Sequence, residues 1–441
     1  MITSNLFNDL KSVLTEARVE QRTSPNQFFG NDGHVVVSPQ TEDDIAAVLA
    51  YANETQQKIT VAGNHSKRGF GGVEEPSDIL LSMTENKGIV EHTVGDMTII
   101  VKPGTLFQEL QDYLATHNQQ ISLDPAHPEE STIGGVIAAN DSGPKRLGYG
   151  SARDLVIGLR VVYPNGEVIR SGGKVVKNVA GYDMNKLFVG SMGTLGVVSE
   201  IALKLRPLPK YESLILLSFG EASVEQISSF SQKLLDSMME PTSLELLTPA
   251  MAEKLTGQQD YTLAIAFEDV ERSVHYQEEF VKSIQPDSAQ ITIVGEKEAK
   301  DFWKRFYKVF PNGHREPEGQ GTEAVVKVGV KDLDVLHVLK ESELLADYYN
   351  ISVHAHGGLG HGLCQLHLIG DENQVISAIT SLRETVKQRN GYAVVKHLPL
   401  DLRRTIDIWG EKPSYFFLLE GIKTKMDPEK TLNAKRFVGG L

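Results

Sequence analysis

Between Ser122 and Arg206 the chain places glycines, small residues and turn signals between short strand-like runs. The segment opens SLDPAHPEESTIGGVIAANDSGPKRLGYG and closes on VGSMGTLGVVSEIALKLR. A stretch of this kind wraps its backbone around something large. Glycine accepts positive φ and lets a main-chain N–H approach a ligand with no Cβ between them. The pairs Gly134-Gly135 and Gly193…Gly196 therefore suit a pyrophosphate.

The rest of the chain sets the frame for that segment. Its 441 residues exceed what one hydrophobic core supports, which predicts two domains. The formal net charge of −14 repels phosphate backbones and anionic headgroups, so nucleic acid is excluded as a partner and an anionic ligand has to be held by local dipoles. A single cysteine, Cys364, excludes an internal disulfide and any Cys-ligated iron–sulfur or zinc site, and points to a reducing compartment. The opening MITSNLFNDLKSVLTEARVE reads as an amphipathic helix rather than a leader, and no run nears the roughly 20 apolar residues of a membrane span. The expectation is a cytoplasmic protein with no integral membrane segment.

From His34 the pattern is strand, helix, strand: VVV at 35–37, a helix capped by Thr41 with Ile45, Val48, Leu49 and Ala52 on one face, and a strand from Lys58 to Val61. The loop GNHSKRGFGG runs from Gly63 to Gly72. Apolar runs follow at Ile79–Leu81 and Met97–Val101. Thr105 with Gln108 then reads as a capping box for a helix carrying Leu106, Leu110, Tyr113 and Leu114. Strands at Leu155–Tyr163 and Glu167–Ser171 flank a Pro-Asn-Gly turn. Past Pro207 and Pro209 the runs SLILLSF, SLELL, YTLAIAF, AVVKVGV, ISVHAH and CQLHLI alternate with helical stretches, including those from Ala222 and Asp371. They predict a mainly antiparallel sheet with helices on one face. The predicted division is an N-terminal helix at 1–29, a first domain at 30–211, a cap domain at 212–395, and an extension at 396–441 that returns to the first domain.

Neither G-x-G-x-x-G nor G-x-x-x-x-G-K-[ST] occurs, so a Rossmann nicotinamide site and a P-loop lack sequence support. A βαβ entry, the loop G-x-H-S-x-x-G-x-G-G, then S-T-I-G-G, G-Y-G-S-x-R-D and G-T-L-G-V follow in that order over residues 30–210. Together they resemble the FAD-binding domain of the vanillyl-alcohol oxidase and p-cresol methylhydroxylase type. The strings GGKVVKNVAGYDMNKL, DLRRTIDIWG and DPEKTLNAKRFVGGL are similar to the accessory FAD-binding E subunit of glycolate oxidase, a relative of the D-lactate dehydrogenase flavoproteins. The resemblance implies an α+β fold, with a two-subdomain FAD-binding domain beneath the antiparallel cap.

It also implies FAD as cofactor. The backbone of Gly63, Asn64, His65, Ser66 and Gly72, and of Ser131, Thr132, Gly134 and Gly135, would hold the pyrophosphate. Pro125, Asn140, Gly143, Tyr149, Gly150, Gly193, Thr194, Gly196 and Val197 would line the rest, and Asn433 would anchor the tail on this domain. Some members of the wider family join a histidine at the position of His65 to the flavin. The favoured reading here is a polar loop residue near the ring, because Lys67 matches the glycolate oxidase pattern at the same loop. In D-lactate dehydrogenase-like enzymes a histidine-rich segment and a later Glu-His pair bind a metal. Counting from His356, this chain has Leu359, His361 and Leu363 in that segment, with Lys396-His397 for the pair. A leucine cannot ligate and an ammonium repels a dication, so no metal is expected at His354, His356, His361 and His367.

His397 keeps the position of the base, and an unperturbed pKa of about 6.5 suits that task; a structural histidine at a strand end is the plainer reading. Arg403 and Arg404 stand either as a clamp for a substrate carboxylate or as a solvated basic face. Lys177, Asn178, Tyr182 and Asp183 fall in the diagnostic string without an evident chemical role. The implied reaction is oxidation of a small 2-hydroxy acid such as glycolate by hydride transfer to flavin. Electrons would pass to an iron–sulfur subunit in company with a FAD-binding sister subunit, and such partners would hold the chain peripherally at a membrane. The alternative is a non-catalytic flavin-binding electron-transfer or structural subunit whose sister carries the base.

Overall fold

The computed structural model describes residues 2–14, 18–72, 76–173, 182–220, 224–317, 319 and 321–441. Helix Glu42–Thr55 buries Ile45, Val48, Leu49 and Ala52. Its start is fixed by a reciprocal cap, in which Thr41 Oγ1 accepts from Asp44 N and Asp44 Oδ2 accepts from Thr41 N, both at 3.1 Å. This helix covers a four-stranded sheet in the order Arg18–Gln21, Gly33–Ser38, Ser77–Ser82, Ile59–Ala62, whose last three strands are parallel. The predicted N-terminal helix over 1–29 is shorter than expected: it spans Ile2–Val13, and Arg18–Gln21 joins the sheet against Gly33–Ser38.

A second, antiparallel sheet has the order Ile89–Thr93, Thr98–Val101, Val197–Lys204, Val156–Val162, Val168–Gly172. The capping box expected at Thr105 is not formed. Thr105 Oγ1 instead donates to Lys102 O at 2.8 Å and accepts from Gly88 N at 2.9 Å, so the helix begins at Phe107. Phe107, Leu110 and Leu114 make its buried face, while Tyr113 is exposed.

From Tyr211 the chain builds an eight-stranded antiparallel sheet in the order Ala289–Val294, Tyr211–Phe219, Tyr261–Asp269, Ser243–Leu247, Ser352–Gly358, Leu363–Gly370, Thr322–Gly329, Tyr392–His397. Its helices lie on both faces, not on one as predicted. Ile215, Leu217, Leu263, Ile265 and Phe267 pack on one side with helices Val224–Leu235, Glu271–Ser283, Asp334–Tyr349 and Glu372–Gln388. The alternate residues Leu214, Leu216, Ala264 and Ala266 are also apolar, and helices Pro249–Thr256 and Glu296–Phe306 bury them on the other side. That second face carries His354, His356, Gln365 and His367 on the remaining strands, paired His354 with His367 and His356 with Gln365.

Beyond His397 the chain returns to the first sheet. Leu432 bridges Ile59 in parallel, and Asn433 N donates to Ile59 O at 2.9 Å. No helix among the described residues is long and apolar enough to cross a membrane.

Candidate functional site

The loop leaving strand Ile59–Ala62 turns sharply, with His65 at φ +58° and bonds from Arg68 N to His65 O and from Phe70 N to Lys67 O. Gly63 lies so close to Thr132 that a Cβ there would meet Thr132 Oγ1 at 2.1 Å, which explains the glycine. The cavity along this loop is lined by Val61–Arg68, Thr132, Gly134, Gly135, Gly193, Gly196, Val197, Asn433 and Arg436. Gly193, at φ +70°, approaches Asn433 Nδ2 to within 2.7 Å of an added Cβ. Asn433 stitches the two walls together, accepting from Val61 N at 2.9 Å and donating to Met192 O at 2.8 Å.

Amides that the sequence reading assigned to a pyrophosphate divide into two groups. Those of Ser131, Ile133, Gly134 and Gly135 donate to protein acceptors: His127 O, Thr105 O, Pro103 O and Thr132 Oγ1. Those of Asn64, His65, Ser66 and Lys67 have no such acceptor among the described residues. The loop amides are therefore the ones that could hold a pyrophosphate, with the Thr132–Gly135 segment packed against them.

Two buried guanidiniums join it that the sequence reading missed. Arg68 is paired with Asp32 at 3.7 Å, and Arg436 donates to Val61 O, Lys67 O and Phe70 O. Burial lowers both from the usual arginine range, Arg436 to about 10. The only sequence signal for Arg436 was its place in the tail string beside Asn433.

Several expected residues lie elsewhere. Asn140 and Thr194 face an adjoining cavity, and Gly143 faces the chamber described next. Gly72 packs against Asn31, and Ser131 Oγ is held by Ala126 O and Ser66 Oγ. Pro125 is buried between two chamber residues, Asp124 and Ala126. Tyr149 and Gly150 are outside the cavity because Tyr149 OH donates to Glu268 of the cap at 2.7 Å and its ring stacks under Arg206. Lys177 and Asn178 lie outside the described residues. Tyr182 is almost fully exposed, and Asp183 pairs with Lys186 at 3.4 Å.

Around the tip of the loop, Ser66 and Lys67 also line a second chamber with Asp124, His127, Asp141, Tyr307, Phe310, His356, Gln365, Lys396 and His397. Lys396 and His397 are consecutive on one strand and would normally point to opposite faces. A bulge against Val325 and Val326 breaks the alternation, and both reach the chamber. His397 rests on Phe29 at 4.9 Å between ring centres and beside Gly69. Burial pushes its pKa down to about 3, so it is neutral at pH 7. Burial, with the guanidiniums of Arg68, Arg22 and Arg436 nearby, lowers His65 to about 3 as well. Arg403 is no carboxylate clamp: it is buried, and its guanidinium donates to Phe29 O and Gly71 O, holding the loop from behind. Arg404 is a surface residue 3.4 Å from Asp401.

Among the described residues no group of three or more His, Cys, Asp or Glu side chains is placed to hold a metal ion. His356 Nδ1 is bonded to buried Glu245 at 2.5 Å, His361 stands 3.7 Å from the same carboxylate, and His367 stands 3.8 Å from Glu323. Leu363 and the Lys396 ammonium occupy the positions where the resemblance places further donors, and a cation there opposes a dication.

A loop-amide cradle without a Rossmann fingerprint, backed by buried arginines and roofed by a large antiparallel sheet, defines an FAD-binding protein of the p-cresol methylhydroxylase fold. The comparisons agree: residues 34–172 match the FAD binding domain family, so the chain carries that domain and its cofactor is FAD. Among its relatives, the glycolate oxidase subunit GlcD of Bacillus subtilis is 35% identical over 48% of this chain and 45% of that protein. The subunit GlcE of Escherichia coli is 37% identical over 37% of this chain and 47% of that one. A D-lactate dehydrogenase of Archaeoglobus fulgidus is 26% identical over 92% of each. The chain thus spans about half the length of the two subunits. The structure of p-cresol methylhydroxylase superposes with a TM-score of 0.76 at 15% identity, over 98% of this chain and 96% of that one, which shows the shared fold.

Proposed function

We propose that the chain is an FAD-dependent dehydrogenase of a small 2-hydroxy acid, glycolate or D-lactate being the first candidates. The observation that carries this reading is the pair Lys396 and His397, set side by side in a buried chamber that continues into the FAD cavity. FAD, held by the Asn64–Lys67 loop with Arg68 and Arg436, would supply the hydride acceptor. His397 takes the proton of the substrate hydroxyl: its ring is neutral at pH 7 and able to accept, although burial makes it a weaker base than a free imidazole. Phe306, Tyr307 and Phe310 wall the chamber from water. The relatives named above support the substrate class.

A second reading keeps the fold and moves the chemistry: the chain is a flavin-binding subunit, and a sister subunit carries the base. The likeness to GlcE favours it. In both readings electrons leave to an acceptor outside the chain, an iron–sulfur partner being the first candidate, since Cys364 is the only cysteine of this sequence and is buried. Oxygen-free addition of glycolate or D-lactate to the isolated holoprotein tests the two. Loss of the oxidised flavin band, slowed at least about 100-fold by His397→Asn, supports the first. Bleaching that appears only when partner subunits are added supports the second, and the absence of bleaching in both settings sinks both.

A further inference from the structure

Asp141 is fully buried on the turn after helix Ile133–Ala139 and holds two ammonium groups at once. Lys67 Nζ lies 3.2 Å from its Oδ2, and Lys396 Nζ lies 3.1 Å from its Oδ1 and 3.4 Å from Gln365 Oε1. One carboxylate cannot neutralise two lysines. The other acids around the chamber have hydrogen-bond partners of their own. Asp124 accepts from the amides of Gly143 and Lys145 and from Tyr307 OH, and burial raises it to about 6; Glu245 is bonded to His356. A third lysine, Lys327, lines the next cavity with Lys396, and no carboxylate pairs with it among the described residues. Burial and the charges of Lys396 and Arg146 bring it down to about 8.

Two ammonium groups thus share one carboxylate in the interior of a chain whose net charge is −14. An ammonium held inside the protein with only a shared counter-charge favours an anionic occupant beside it. The bulge that turns Lys396 inward beside His397 puts this ammonium where a hydroxy acid has to bind to lose its proton. A dication at this place would face the ammonium groups of Lys396 and Lys67, which oppose it.

We propose that Lys396, steadied by Asp141 and Gln365, binds the substrate carboxylate directly, and that this ammonium makes the site independent of metal ions. The inference rests on the 2-hydroxy acid reading for its substrate, but its test does not need turnover. FAD-loaded protein is treated with EDTA and titrated with oxalate, an unreactive carboxylate, following the flavin absorption spectrum. Calorimetry with Mn²⁺ is run beside it. Oxalate is expected to bind in EDTA, and Lys396→Met and Lys396→Gln are expected to weaken it at least 10-fold while retaining FAD. Mn²⁺ is expected to give no heat in the wild type. Oxalate binding that disappears in EDTA and returns with Mn²⁺ overturns the proposal, as does unchanged affinity in both variants. Since oxalate cannot be oxidised here, its binding with no bleaching by any hydroxy acid would refute the dehydrogenase reading and leave the anion site standing.

Discussion

His397 shows how much burial alone decides. Its unfolded pKa is near 6.5 and its folded value about 3. Above pH 6.5 both states carry it neutral. Between pH 6.5 and 3 the unfolded chain takes up a proton that the folded chain refuses, so stability falls as pH falls, by up to about 1.4 kcal/mol per pH unit. His397→Gln should flatten that share of the slope, seen as a smaller shift of the urea midpoint between pH 7 and pH 5 than the wild type gives. An equal shift in both proteins would show that the ring is protonated in the fold. Residue type and position made His397 legible in the sequence. Arg403 was misread because an arginine's destination depends on which carbonyls surround it, here those of Phe29 and Gly71 from distant loops.

Most strands and helices were legible because their apolar periodicity is strong, as in Glu42–Thr55 and Tyr261–Asp269. What could not be read were choices between local partners. Thr105 prefers the turn at Lys102 and Gly88 to a helix cap, and the bulge that exposes both Lys396 and His397 leaves no mark in composition. The tail segment around Asn433 was assigned by resemblance, and its geometry makes a specific expectation. Asn433→Ala loses the bonds to Val61 N and Met192 O and strands two buried backbone groups. A loss of about 2 kcal/mol follows from unsatisfied buried groups, along with weaker FAD retention on gel filtration. A variant that keeps its full complement of flavin would show that the stitch is dispensable.

The two-sided cap was missed because alternation identifies a buried face but not how many faces are buried; small residues such as Ala264 and Ala266 gave no warning. Cap and FAD domain are joined by a buried cluster in which Glu268 accepts from Tyr149 OH at 2.7 Å and pairs with Lys145 at 2.5 Å. Lys145 is held above its ordinary range despite its burial by Glu268 and Glu212. Glu268→Gln leaves that ammonium without its nearest counter-charge. Breaking such a pair costs about 3–5 kcal/mol, which should appear in urea denaturation as a lower midpoint or as separate unfolding of the two domains. A single transition at the wild-type midpoint would contradict the coupling.

Asn433 closes a wall begun by Val61, 372 positions earlier. A nascent polypeptide therefore has the Asn64–Lys67 amides early but gains this stitch only once Asn433 has been made, and products truncated before it should hold flavin more weakly.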